Sequence, residues 1–207
     1  GQRPFTYTPP TGFVALNTYN FPMPTIANGA VYNAATLYTG TGSALSIVNS
    51  QSNGGNNPLG KTFYSDFVWQ KCRNAVANHF LADSVRGVNK ELLSDSTIAE
   101  ATSVQYVTSF NSNGVSFGND TGLNTNGNTY VAWQWNAGSG SSSSNTNGSI
   151  TSTVSANPTA GFSVVSWTGT AANATVGHGL GVAPDLIITK NRDSATDWWV
   201  YHSALGN

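Results

Sequence analysis

Residues 65–87 read SDFVWQKCRNAVANHFLADSVRG, and a related stretch, PDLIITKNRDSATDWWVYHSALG, occupies residues 184–206. The two stretches align without a gap at an offset of 119, and their apolar patterns match. The identical pairs are Asp66 and Asp185, Lys71 and Lys190, Arg73 and Arg192, Ser84 and Ser203, and Gly87 and Gly206. We predict an internal repeat, which decides the fold because a repeated stretch implies a repeated structural unit.

A second match lies upstream of each copy, where YTGT at residues 38–41 corresponds to WTGT at residues 167–170. The sequence therefore predicts a first unit over 29–137, a flexible Gly/Ser/Asn-rich linker over 138–149, and the first half of a homologous second unit over 150–207. Residues 1–28 hold five of the eight prolines, which indicates an extended arm that completes a preceding domain. Because the first unit runs on well beyond Gly87, we expect the native protein to continue past Asn207 by at least about 50 residues.

Short runs of β-branched and aromatic residues, separated by turn residues, dominate both units. They cover residues 30–38, 44–48, 66–73, 79–85, 104–110, 114–118 and 129–135 in the first unit, and 162–170, 185–192 and 198–203 in the second. Asn113-Gly114 between two such runs predicts a β-hairpin, whereas 94–101 is the one candidate for a short helical turn. The spacing predicts an all-β fold of tandem antiparallel β-sandwich units, the second incomplete.

The composition excludes several classes of protein. Charged residues make up 8% of the chain and the net charge is -1, so no basic field exists to hold a phosphate backbone, and we expect no nucleic-acid partner. No apolar run approaches the length of a membrane helix, so we expect no membrane insertion. Cys72 is the single cysteine, which rules out an intrachain disulfide, and its place in an apolar strand pattern predicts a buried core residue.

The repeated polar set comprises Asp66, Lys71, Arg73, Asp185, Lys190 and Arg192. In a catalytic site such residues could clamp an anion. Their occurrence in both units instead favours a structural ion pair or ladder on a sheet face, because repeats share a scaffold more readily than an active site.

Motifs for cofactor, metal or catalytic chemistry are weak. Residues 118–128, GNDTGLNTNGN, are rich in side-chain oxygens, but Asp120 is their one carboxylate, so a turn is favoured over a calcium site. Residues 177–181, GHGLG, are not followed by a helix pattern, so a tight turn is favoured over a dinucleotide loop. We therefore predict no cofactor, no metal and no enzymatic activity; the scarcity of carboxylates argues against glycan cleavage in particular.

Aromatic residues cluster near the end of the chain at Trp198, Trp199 and Tyr201. Exposed aromatic rings can stack on sugar rings, whereas buried ones fill sandwich cores. Strand alternation sends Trp198 and Trp199 to opposite faces, so we expect one in the core and the other available as a glycan contact.

Several motifs carry a resemblance to bacteriophage virion proteins. Residues 5–17, FTYTPPTGFVALN, resemble the last strand and exit of SPRY-like, concanavalin-type sandwich domains. The rest resembles a repeated β-sandwich domain of unassigned function that follows such domains, notably in marine phages. The motifs that carry this second resemblance are TGT at 39–41, DFVWQKCR at 66–73, DSVRG at 83–87, FNSNG at 110–114 and YVAWQW at 130–135.

The resemblance implies lectin-like, jelly-roll units in a structural protein of the virion, such as a tail fibre, spike or other appendage. It also implies other virion proteins as partners, a homotrimeric state, and a location on the extracellular particle. Within this class we predict a non-enzymatic appendage protein that binds host surface glycan. The alternative is a purely architectural capsid decoration or adaptor that binds no glycan.

Overall fold

The computed structural model describes residues 10–12, 26–49 and 62–206. The extended arm predicted over 1–28 lies largely outside the described residues, so it stays a prediction. The first unit begins with a one-turn 3-10 helix, Gly29–Val31, whose N-cap Asn28 accepts a hydrogen bond from the Ala30 backbone N–H.

Two antiparallel sheets form the first unit. The larger has the order β1-β9-β3-β4-β5-β6, with β1 Asn33–Thr39, β9 Thr129–Trp135, β3 Phe67–Cys72, β4 His79–Asp83, β5 Lys90–Leu93 and β6 Ala101–Thr102. The smaller has the order β2-β8-β7, with β2 Leu45–Val48, β8 Gly114–Phe117 and β7 Val107–Asn111. The predicted hairpin is confirmed, since Asn111 pairs with Gly114 at the β7–β8 turn.

The hydrophobic core lies between these two sheets. The larger sheet contributes Tyr38, Val68, Cys72, Ala82, Tyr130 and Ala132, the smaller contributes Ile47, Val107, Phe110, Val115 and Phe117, and Leu123 comes from helix α1, Thr121–Asn124. The Tyr38 ring stacks between those of Phe117 and Tyr130, with centroids at 5.4 and 5.0 Å. The predicted all-β sandwich is confirmed, and Cys72 is buried in its core as expected.

The second unit follows with a three-stranded antiparallel sheet, β10-β11-β12, and a two-stranded antiparallel pair, β13 with β14. Their bounds are β10 Ser143–Asn145, β11 Ser152–Asn157, β12 Phe162–Trp167, β13 Leu186–Thr189 and β14 Trp199–His202. A second one-turn 3-10 helix, Ser203–Leu205, follows β14.

Two local predictions need correction. The stretch 138–149 is not a plain linker, because β10 lies within it and pairs with β11, and Ser155 Oγ donates to the Ser141 carbonyl at 2.9 Å. Residues 94–101 form a turn and an irregular segment that leads into β6 rather than a helical turn. The backbone of this segment forms hydrogen bonds to the second unit instead, since the Glu100 N–H donates to the Arg192 carbonyl at 2.8 Å.

Candidate functional site

The two copies of the repeated stretch form the same pair of antiparallel strands. In the first unit Phe67 pairs with Asp83 across β3 and β4, and in the second Leu186 pairs with His202 across β13 and β14. Adding 119 to each residue of the first pair gives the second, and the other pairs of β13 and β14 follow the same rule. The repeat thus extends to strand register, so each residue of β13 and β14 has a structural counterpart in β3 or β4.

The repeated aspartate and serine close both strand pairs in the same way. Ser84 Oγ donates to Asp66 Oδ1 at 2.9 Å, and Ser203 Oγ donates to Asp185 Oδ1 at 2.7 Å. In both copies the serine backbone N–H also donates to the aspartate carbonyl at 2.8 Å. The pair therefore fixes where the two strands come together.

The repeated lysines also act alike, whereas the arginines differ. Lys71 Nζ donates to the carbonyl of the next residue at 2.9 Å, and Lys190 Nζ does so at 2.8 Å. Arg73 is exposed, whereas Arg192 is bound to Glu100 of the first unit. The structure therefore does not bring the trio together as one anion clamp or one ion ladder; Lys71, Lys190 and Arg192 have separate contacts.

The environment of the two aspartates differs most. Asp66 is fully buried. Its Oδ2 accepts backbone hydrogen bonds from residues 137, 138 and 139 at 2.8–2.9 Å, and its Oδ1 accepts one from Gly140 at 2.9 Å. Asp185 is exposed, and within the described residues its carboxylate accepts a hydrogen bond from Ser203 alone. The second copy thus has the carboxylate acceptor, but within the described residues it lacks the consecutive backbone N–H donors that bind this carboxylate in the first copy.

Glu100 forms the centre of an ion network that joins the two units. Its carboxylate lies 3.1 Å from Arg86 Nη1, 3.3 Å from Lys90 Nζ and 2.9 Å from Arg192 Nη2. Burial opposes ionisation, but the hydrogen bonds from Arg192 and Arg86 outweigh it and lower the pKa of Glu100 to about 2. Sequence reasoning missed this residue, although the rarity of glutamate in the chain was an available signal.

Glu91, the other glutamate, faces a small cavity inside the first unit. Gln70 lines the same cavity, and neither Gln70 Oε1 nor Glu91 Oε2 has a hydrogen-bond partner among the described residues. Burial raises the pKa of Glu91 to about 7, against the opposing hydrogen bond of Tyr106. Sequence reasoning missed this group too, because nothing local marks a glutamate in a strand as buried.

The three candidate glycan contacts lie in different environments. Trp198 is half-buried, and its indole N–H donates to the backbone carbonyls of Leu93 and Ser96, each at 3.0 Å. Trp199 is 73% exposed, and Tyr201 is half-buried. Trp198 is thus a half-buried contact between the units rather than a core residue, whereas Trp199 is exposed.

The exposed side of β13 and β14 corresponds to a buried side of the first unit. Trp199 and Tyr201 occupy the positions of Phe80 and Ala82, and Ile187 occupies the position of Val68. In the first unit these three counterparts lie in the core or pack against it. Leu186, Ile188 and Val200 lie on the opposite face of the strand pair, because successive side chains of a strand alternate between faces. We call Leu186, Ile187, Ile188, Trp199 and Val200, which are 41–73% exposed, the open hairpin surface, and it covers both faces. Clustered exposed apolar side chains of this kind are typical of an interaction site.

The oxygen-rich loop at residues 118–128 has a structural role. Asp120 caps α1 by accepting a hydrogen bond from the Gly122 N–H at 2.8 Å. Asn124 is fully buried, donates to the Gly118 carbonyl and accepts from the Thr41 N–H, each at 2.8 Å. Across residues 10–12, 26–49 and 62–206, no cluster of His, Cys, Asp or Glu is arranged to hold a metal ion. In the same ranges, no helix has both the length and the hydrophobicity of a membrane span.

Comparisons with known proteins give a family and no function. A search of the curated proteins found no significant match, and neither did a search of the solved structures. One family model matches residues 28–207, which include both copies of the repeat and both sandwich sheets. On that match, the chain belongs to the family described as a domain of unknown function, DUF7483.

Proposed function

We propose that this protein is a non-enzymatic structural component of a bacteriophage particle, in a tail fibre, spike or similar appendage. The observation that carries the architectural role is the use of the repeated polar residues. Asp66 and Asp185 close equivalent strand pairs, and Arg192 binds the first unit through Glu100. The chain thus uses its few charged groups to build modules and join them.

The contacts between the two units support an architectural role. Phe162 of β12 stacks on Trp135 of β9 with ring centroids 5.9 Å apart, and Asn157 Nδ2 donates to Asn136 Oδ1 at 2.7 Å. Apolar, polar and charged contacts therefore all act between the units. The phage context comes from the motif resemblance, and on the same basis we propose other virion proteins as partners and a homotrimeric assembly.

The location is tested on purified phage particles from a source whose genome encodes the chain. We expect mass spectrometry to detect the protein in the particles, and antibody labelling under the electron microscope to mark the tail or an appendage. Labelling confined to the capsid would favour the decoration or adaptor role. Absence of the protein from purified particles would contradict the proposal.

Glycan binding is the second candidate function, and the exposed Trp199 is the observation in its favour. The architectural role is favoured because Trp199 occupies the position of a core-packed residue, Phe80, in the first unit. A glycan array compares the chain with a Trp199→Ala variant. If the role is purely architectural, the array should show no glycan that binds the chain but not the variant. A glycan that binds the chain and does not bind the variant would establish the protein as a lectin.

A further inference from the structure

Strand β9 shows how the first unit completes the sheet beside β3. It pairs with the edge of β3 that faces away from β4. The Arg73 N–H donates to the Thr129 carbonyl at 2.7 Å, whereas the Asn136 N–H donates to the Tyr32 carbonyl beside β1 at 2.8 Å. Because backbone groups in antiparallel strands alternate between neighbours, residues 129, 131, 133 and 135 bond toward β3 and residues 130, 132 and 134 toward β1.

The corresponding edge of β13 has no strand beside it in the part of the chain that the structure describes. The shared register places Leu186 and Ile188 at the positions of Phe67 and Trp69, whose backbone groups face β9. Leu186 is 53% exposed and Ile188 is 50% exposed. An exposed apolar strand with a row of unpaired backbone groups is a template for another strand.

Asp185 adds a second element to this edge. Its counterpart, Asp66, accepts hydrogen bonds from the backbone N–H groups of the four residues 137–140, which follow directly after β9 and Asn136. Asp185 keeps the same bond to its serine but is exposed. A carboxylate is complementary to consecutive backbone N–H groups, whose partial positive charges converge on it.

We propose that the open edge of β13 is a docking site for an antiparallel protein strand of the β9 type, followed at once by a turn whose consecutive backbone N–H groups bind Asp185. The strand supplies alternate apolar side chains for the open hairpin surface, and its backbone extends the sheet by strand addition. The β9 strand of this chain cannot fill the site, since β1 and β3 hold it on both edges.

The test uses the complete 207-residue chain and a synthetic peptide with the sequence of residues 129–140, TYVAWQWNAGSG. This peptide contains the β9 strand and the donor turn. We expect saturable binding by fluorescence anisotropy of a labelled peptide, and a scrambled peptide of the same composition should not bind. Absence of binding by the native peptide would overturn the proposal.

Two N-methylated peptides test the direction of the pairing. Methylation of the backbone nitrogens at positions 131 and 133 removes donors that would face β13, and should abolish binding. Methylation at positions 132 and 134 alters donors on the far edge, and should preserve it. Equal binding by the two peptides would show nonspecific apolar contact and would overturn strand addition.

Variants of the chain test the role of Asp185. We expect Asp185→Asn to weaken binding of the native peptide by about tenfold or more, because hydrogen bonds to a charged group are strong. Asp197→Asn is the matched control, since Asp197 is also an exposed aspartate of the second unit. An unchanged affinity of the Asp185 variant would overturn the carboxylate anchor. If the chain self-associates and the peptide binds only after the assembly dissociates on dilution, the edge is occupied by a second copy, and this result would also contradict the proposal.

Discussion

Arg192 and Glu100 form a bidentate ion pair across the boundary between the two units. Arg192 Nε lies 2.9 Å from Glu100 Oε2, and Arg192 Nη2 lies 2.9 Å from Glu100 Oε1. The same carboxylate binds Arg86 of the first unit, and its side chain is 8% exposed. Because a paired guanidinium and carboxylate share two parallel hydrogen bonds, this contact fixes orientation as well as proximity.

Glu100→Gln is expected to reduce the free energy of unfolding by about 2–3 kcal/mol at pH 7, because it leaves Arg192 without this charged partner and leaves Arg86 with Asp83 alone. The pKa of Glu100 is lowered from 4.5 to about 2, so its contribution is present above pH 4.5 and is lost as the pH falls toward 2. Urea titrations between pH 2 and pH 7 should show that the variant loses less stability on acidification than the original chain. Asp197→Asn, an exposed control, should leave the pH profile unchanged. An equal loss of stability on acidification in the Glu100 variant and in the original chain would contradict the assignment.

The contribution of Glu91 to stability is expected to depend on pH in the opposite direction to that of Glu100, and Glu91→Gln tests this. Burial raises the pKa of Glu91 from 4.5 to about 7, so the folded state binds a proton that the unfolded state releases in this range. Stability from this group therefore falls as the pH rises from 4.5 to 7, and the glutamine variant should gain about 1–2 kcal/mol relative to the original chain at pH 8. Urea titrations at pH 5 and pH 8 measure the difference; a variant that is less stable at pH 8 would show that ionised Glu91 is stabilising.

Asp66→Asn and Asp185→Asn provide a matched pair within one chain. At Asp66 the amide would place N–H groups against backbone donors in a buried site, and we expect a loss of about 3–5 kcal/mol. At exposed Asp185 the loss should stay below about 1 kcal/mol. Thermal or urea denaturation of the two variants compares them directly. Similar losses of stability would show that the two aspartates are equally enclosed by hydrogen-bond donors.

The glycines of the repeated Thr-Gly-Thr segments should also differ. A Cβ atom at Gly40 would meet the backbone carbonyl oxygen of Thr125, whereas no atom of the described residues lies within 4 Å of a Cβ at Gly169. Gly40→Ala should therefore cost about 1–3 kcal/mol through overpacking, and Gly169→Ala should change stability by less than about 0.5 kcal/mol. Denaturation midpoints measure both, and a tolerated Gly40→Ala would contradict the tight contact.

Trp198→Phe should loosen the second unit from the first. The change keeps a large ring but removes the N–H donor shared by the Leu93 and Ser96 carbonyls, at a cost of about 1–2 kcal/mol. We expect faster amide exchange at Thr196, whose N–H donates to the Thr97 carbonyl at 3.0 Å. Trp199→Phe is the control, because Trp199 is 73% exposed and its ring should tolerate the change. Unaltered exchange at Thr196 in the Trp198 variant would show that the indole bonds do not hold the units together.

Local sequence patterns were sufficient for most strands and for the repeat, but not for β5, Lys90–Leu93, or β10, Ser143–Asn145. The β3 strand and the Asn113-Gly114 hairpin follow from alternation and turn chemistry, which act between near neighbours. The predicted linker failed for the same reason. Serine, asparagine and glycine are typical of linkers, but β11 recruits Ser143–Asn145 as a neighbouring strand and Asp66 binds the preceding N–H groups.

The candidate site was only partly predictable. The sequence located the repeated aspartates, lysines and arginines, and it located the aromatic cluster at Trp198, Trp199 and Tyr201. It did not show that Glu100 binds Arg192, because those residues are 92 positions apart and no local pattern links them. Nor did it show that Trp199 occupies a core-equivalent position, since that follows from the register of paired strands rather than from the side chain.

The amino-acid sequence by itself determined that this is an all-β protein with one strand pair built twice, because strand periodicity, turns and internal similarity are properties of short segments. Only the tertiary structure decided that Asp66 is enclosed by backbone donors while Asp185 faces outward, and that Glu100 joins the units. Identical residues acquire different roles because burial and hydrogen bonding depend on segments that the fold brings together from distant parts of the chain.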